Sequence, residues 1–105
     1  MWINANLSNK CRRSIKEVNY KDINFNEYLI IDVRSKREFN ETHLDGALNI
    51  PLPEIKKKVG QYIKNKERKI LVCCEYGIRS KKAAQILEEL GYTQVFNLKG
   101  GLENI

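Results

Sequence analysis

Two short apolar runs constrain this chain most. Tyr28-Leu29-Ile30-Ile31-Asp32-Val33 and Lys69-Ile70-Leu71-Val72-Cys73 are nearly continuous in apolar residues and are of strand length. Such runs suit parallel strands buried on both faces. The other segments carry a helical period. From Pro53 onward, Ile55, Val59, Tyr62 and Ile63 fall on one face, with Gly60 weakening that helix. From Lys81 to Leu90, the residues Ala83, Ala84, Ile86, Leu87 and Leu90 make one stripe, and Gly91 follows as a left-handed cap. Ser35 and Glu38 have capping-box spacing and open a short helix ending near Asn40. Ile15–Val18, Ala47–Ile50 and Thr93–Leu98 complete a set of strands that alternate with helices. The pattern predicts an α/β fold with a parallel sheet.

A chain of 105 residues, 42% apolar and 30% charged, supports one domain with one core. Residues 1–14 are polar, rich in Asn and without period. They read as an N-terminal extension, anchored by Trp2 and Ile3, on a domain spanning 15–105. No stretch approaches the ~18 apolar residues of a membrane span. The start lacks the features of a signal peptide, so the expected location is cytoplasmic. Cys11, Cys73 and Cys74 cannot all pair with one another, and two are adjacent, which fits free thiols in a reducing compartment. Cys11 is read as incidental and Cys73 as a core residue. A single histidine and no CxxC pair leave little for a metal, and none is expected. The net charge of +6 allows a general attraction to small anions. The densest basic stretch, Lys56 to Lys69, is interrupted by Glu67 and has no aromatic platform, so it reads as a solvated helix face rather than a nucleic-acid surface.

The chemistry is concentrated in Cys74-Glu75-Tyr76-Gly77-Ile78-Arg79-Ser80. A cysteine at the end of a buried strand, then a tight loop, then a helix start, makes an anion cradle around a thiolate. Helix N-terminal N–H groups and the macrodipole favour negative charge there and activate a thiol. Gly77 permits the unusual backbone angle that a tight wrap demands. Arg79 is expected to hold an oxyanion or persulfide, and Ser80 to offer its hydroxyl to the sulfur or cap the helix. Lys81 and Lys82 are placed in the first turn, adding to the positive field, with Glu88 and Glu89 in the last.

These seven residues resemble the active-site loop of the rhodanese family. Ile31-Asp32-Val33-Arg34 resembles that family's strand-end motif. Glu41-Thr42-His43-Leu44-Asp45-Gly46-Ala47-Leu48-Asn49-Ile50-Pro51 resembles its second signature, and Leu98-Lys99-Gly100-Gly101 its C-terminal one. The resemblance implies a three-layer, single-domain sulfurtransferase, an α/β fold with a central parallel sheet of about five strands flanked by helices, without metal or organic cofactor. Cys74 would take sulfane sulfur from thiosulfate or a persulfide and pass it to a thiol or cyanide. Loop residues Glu75 to Ser80 would bind the persulfide, with Asp32 and Arg34 in support and His43 structural. Implied partners are small sulfur-containing anions, thiol acceptors and thioredoxin-like or sulfur-relay proteins.

Two other functions use the same cysteine. One is a persulfide carrier or protein-binding relay with little small-molecule activity. The other is a small-anion phosphatase or arsenate reductase. The latter proteins hold one residue more between Cys and Arg than the four here, and the smaller ring favours sulfur. Two departures from the family pattern stand out. An acidic Glu75 follows the cysteine, where a basic residue is frequent, and Leu102-Glu103-Asn104-Ile105 replaces a tryptophan after the double glycine.

Overall fold

The computed structural model describes residues 15–105, so the proposed extension, with Trp2, Ile3 and Cys11, lies outside the described residues. Five strands form one sheet: β1 (Lys16–Val18), β2 (Leu29–Asp32), β3 (Leu48–Asn49), β4 (Ile70–Cys73) and β5 (Val95–Leu98). Their order is β1-β5-β4-β2-β3, and every neighbouring pair is parallel. The central strand, β4, is buried along its whole length, as its apolar run requires.

Side chains alternate between two cores. Ile31, Val72, Cys74 and Val95 face a large cluster completed by Ile55, Val59 and Ile63 and by Ala83, Ala84 and Leu87. The first three of those partners come from α2 (Ile55–Tyr62) and its cap, the last three from α3 (Ile78–Glu89). Ile30, Leu71, Cys73 and Leu98 face the opposite side. That side is covered by Val18, Tyr28, Leu44, Ala47 and Leu102 and by short 3-10 turns over Tyr20–Asp22 and Phe25–Glu27. The fold therefore has three layers, with two helices on one face and short turns on the other.

The period of two along the strand separates the adjacent cysteines. Cys73 and Cys74 are both buried, but in different cores. Desolvation pushes the Cys73 thiol far above the ordinary range and keeps it neutral.

The expected capping box forms at α1 (Lys36–Glu41): Ser35 Oγ accepts from the Glu38 N–H, and Glu38 accepts from the Ser35 N–H. Two expectations need correction. Tyr62 was assigned to the buried face of α2 but is 53% exposed, because the helix ends there. The helix after the cysteine loop begins at Ile78, not Lys81, so Lys81 is its fourth residue and Lys82 lies beyond the first turn. Its N-cap is Gly77, at φ +90° and ψ 0°, with no side-chain cap. Ser80 is inside the helix and does not cap it.

The chain leaves β2 toward β3 on one side, then returns to place β4 and β5 on the other. The strand order reverses between β2 and β4, where open parallel sheets form a crevice at their carboxyl ends. Asp32 ends β2 and Cys73 ends β4, in register with one another.

Candidate active site

Cys74 leaves β4 and the chain closes a ring around its sulfur. The Gly77 N–H donates to Sγ at 3.1 Å and the Ser80 N–H at 3.3 Å. The residue is only 1% exposed. Ile78 and Arg79, the first residues of α3, lack backbone acceptors one turn back, so their N–H groups have no partner within the helix. At φ +90° Gly77 has the left-handed geometry that a side chain disfavours, and this turn brings the helix start back onto the sulfur.

The ring is braced from behind by the end of the chain. Leu102 N–H donates to the Cys74 carbonyl and Glu103 N–H to the Glu75 carbonyl, both at 2.9 Å. Gly101 lies flat against this stretch: a Cβ there would sit 2.6 Å from the Tyr76 nitrogen and still nearer the Glu75 carbonyl. The double glycine thus has a steric reason. It lets one backbone lie on another and occupies the loop carbonyls from outside.

One residue of the network was not singled out from sequence. Asn97 on β5 is fully buried. Its Nδ2 donates to the Gly77 carbonyl at 3.1 Å and to Glu17 Oε2 at 3.2 Å. Two acceptors on that side fix the amide orientation, so Oδ1 faces Ser80 and accepts its hydroxyl at 2.5 Å. Ser80 Oγ in turn faces the Cys74 thiol at 3.3 Å, as acceptor. The expected gift of the Ser80 hydroxyl to the sulfur is absent here, because its hydrogen is committed to Asn97. A polar residue inside a doubly buried strand was the available signal for Asn97.

The charged residues form a second shelf. Asp32 and Arg34 are buried side by side, with Arg34 Nε 3.1 Å and Nη2 2.9 Å from the carboxylate. Arg34 Nη2 also donates to the Thr42 carbonyl at 2.6 Å, tying β2 to the segment before β3. Asn49 donates to the Asp32 and Arg34 carbonyls, at 3.0 Å each. Arg34 Nη1 reaches Glu75 Oε1 at 3.4 Å. Arg79 is held by Glu38 through two donors, at 2.8 and 3.0 Å. Those donors, with the Ser35 N–H, pull the Glu38 carboxyl down to about 2. His43 bonds through Nδ1 to the Phe39 carbonyl and stacks on the Phe39 ring, 3.7 Å between centroids. Tyr76 and Ile78, by contrast, point outward from the loop, 63% and 73% exposed. Among the described residues no cluster suited to a metal occurs, and no helix is long and apolar enough to cross a membrane.

The chain is thus a parallel α/β protein that presents a buried cysteine inside a loop of N–H donors, at the carboxyl end of its central strand. The chain belongs to the rhodanese family: the model for the rhodanese-like domain matches residues 16–105. Among its relatives is thiosulfate sulfurtransferase PspE of Escherichia coli K12, 41% identical and covering 71% of each chain. Thiosulfate sulfurtransferase GlpE of Shewanella oneidensis is 39% identical, over 69% of each. Among solved structures, a rhodanese with anions from E. coli superposes with a TM-score of 0.69 at 40% identity, covering 74% of this chain and 91% of its own. A human single-domain sulfurtransferase, TSTD1, shares the fold, with a TM-score of 0.75 at 24% identity over 87% of this chain and 95% of its own.

Proposed function

We propose that this protein is a sulfurtransferase that holds sulfane sulfur as a persulfide on Cys74. The observation that carries the reading is the ring itself: a buried sulfur receiving two backbone N–H groups, with the next N–H groups, at a helix start, lacking a partner within the helix. The Cys74 thiolate attacks the outer sulfur of thiosulfate or a persulfide. The Sγ–S bond forms, the donor's S–S bond breaks, and its electron pair leaves with sulfite or the donor thiolate. The persulfide anion then lies among preorganised N–H groups that need no rearrangement to meet it. An acceptor thiolate or cyanide attacks that outer sulfur and restores the Cys74 thiolate. Asp32, Arg34, Glu38 and Arg79 hold the loop's surroundings, and Gly77 and Ser80 contact the reacting sulfur.

The ring between Cys74 and Arg79 is sized for sulfur, so phosphate or arsenate chemistry is not proposed. A relay role would use the same adduct; one Bacillus subtilis relative, 33% identical, is named a putative sulfur carrier protein, YrkF, of which this chain spans 40%. The test is intact mass after incubation with a sulfane donor. The expected product is one sulfur atom heavier, loses that atom to cyanide and does not form in Cys74→Ser. A protein that gains no sulfur from any sulfane donor overturns the proposal.

A further inference from the structure

A net charge of +6 suggests a mouth open to any small anion. The charges around Cys74 are arranged otherwise. Two guanidinium groups stand near the ring, and both are spent. Arg34 is paired with buried Asp32, and Arg79 is clasped by Glu38. Arg79 directly precedes Ser80, whose N–H and hydroxyl meet the Cys74 sulfur. The third carboxylate, Glu75, is next to the nucleophile and retains a single long contact, to Arg34 Nη1 at 3.4 Å. It is partly exposed. Two cations therefore face three carboxylates. Lys81, the fourth residue of α3, and Lys82 after it are exposed. The loop also turns two large apolar side chains to solvent, Tyr76 and Ile78. Apart from the Tyr76 hydroxyl they offer a small dianion no donor, and Glu75 repels it. A donor with an apolar body covers them.

We infer that the site takes its sulfur from an organic donor, with an apolar group beside the transferable sulfur and no more than one negative charge, in preference to the thiosulfate dianion. This rests on the sulfurtransferase reading and narrows its donor. Benzenethiosulfonate represents the class. The Cys74 thiolate attacks its terminal sulfur, the Sγ–S bond forms, and the S–S bond breaks with its electron pair leaving on benzenesulfinate. The persulfide anion remains on Cys74, so atoms and charge balance.

The experiment compares kcat/KM for thiosulfate and benzenethiosulfonate, with cyanide as common acceptor, in the wild type, Glu75→Gln, Tyr76→Ser and Ile78→Ser. Absolute rates of the two donors differ for intrinsic reasons, so the readout is each variant's change relative to wild type. Removing one charge at loop distance from a dianion should raise thiosulfate kcat/KM about three- to ten-fold at low salt. The logarithm of that gain should be about twice that for the monoanion, and high salt should shrink both. Each Ser variant should lower benzenethiosulfonate kcat/KM about five-fold through lost apolar cover, with thiosulfate falling less. The inference is overturned if Glu75→Gln leaves thiosulfate transfer unchanged or lower, or if the Ser variants slow both donors equally. Failure of both donors to load Cys74 in the wild type would instead overturn the sulfurtransferase reading.

Discussion

Replacing Gly101 with Ala should damage both stability and the reactive loop, and the structure sets the size of the effect. Gly101 sits at φ +71° and ψ −170°, backbone space that is almost exclusive to glycine. An alanine there carries about 1–3 kcal/mol of strain. Its Cβ would also lie 2.6 Å from the Tyr76 nitrogen, a backbone atom that cannot rotate away. Relief requires the C-terminal turn to lift from the loop. That stretches the Leu102-to-Cys74 and Glu103-to-Glu75 hydrogen bonds, now 2.9 Å each. Each contributes about 0.5–1.5 kcal/mol. The expected total is about 2–6 kcal/mol. Gly46→Ala is the control: φ is +80°, yet nothing lies within 4 Å of its Cβ, so only the backbone term applies. That term is about 1–2 kcal/mol. Urea unfolding in the cold measures both, and sulfur loading of the folded fraction should slow only in Gly101→Ala. Equal losses of stability in the two variants would refute the steric account of the double glycine.

Glu38→Gln should flatten the acid limb of the stability curve. Arg79 and the Ser35 N–H depress the Glu38 carboxyl to about 2 in the folded protein, so its contribution is complete above the ordinary carboxylate range and is lost as pH falls toward about 2. Urea midpoints across the acid range should show wild type losing more stability than the variant, which starts lower at neutral pH. Asn97→Ala strands the buried Ser80 hydroxyl and the Gly77 carbonyl; unfolding should show a loss of about 1–3 kcal/mol or more, together with slower sulfur loading. Cys73→Ala should keep its sulfur adduct, by intact mass, whereas Cys74→Ser should have none, because the two sulfurs face opposite cores.

Much of the frame was readable because it depends on local pattern. The apolar runs at Ile30 and Leu71 could be satisfied only by doubly covered strands, and Ser35 with Glu38 needed only a separation of three residues to declare a cap. The site was less readable where partners come from afar. Arg79 reads as an anion ligand beside its cysteine, yet Glu38, forty-one residues earlier, occupies it. Glu75 had no visible partner until the fold brought Arg34 beside it. The start of α3 lies three residues earlier than the apolar stripe suggests because Gly77, legible as a turn residue, also stands as its N-cap in place of the usual side-chain cap. Asn97 was passed over as one more residue in a strand. What it does depends on Glu17, Gly77 and Ser80 converging there.

The bracing of the loop by residues 101–103 also has a temporal side. A nascent chain that has already made β4 and α3 contains the cysteine and its N–H donors, but not the turn that receives the Cys74 and Glu75 carbonyls. Those residues follow the last strand of the sheet. The cysteine is therefore built early and finished late: its cradle can set only after β5 has docked and the following turn has closed over it. In chain order, the turn that braces the loop is the last part of the site to be made.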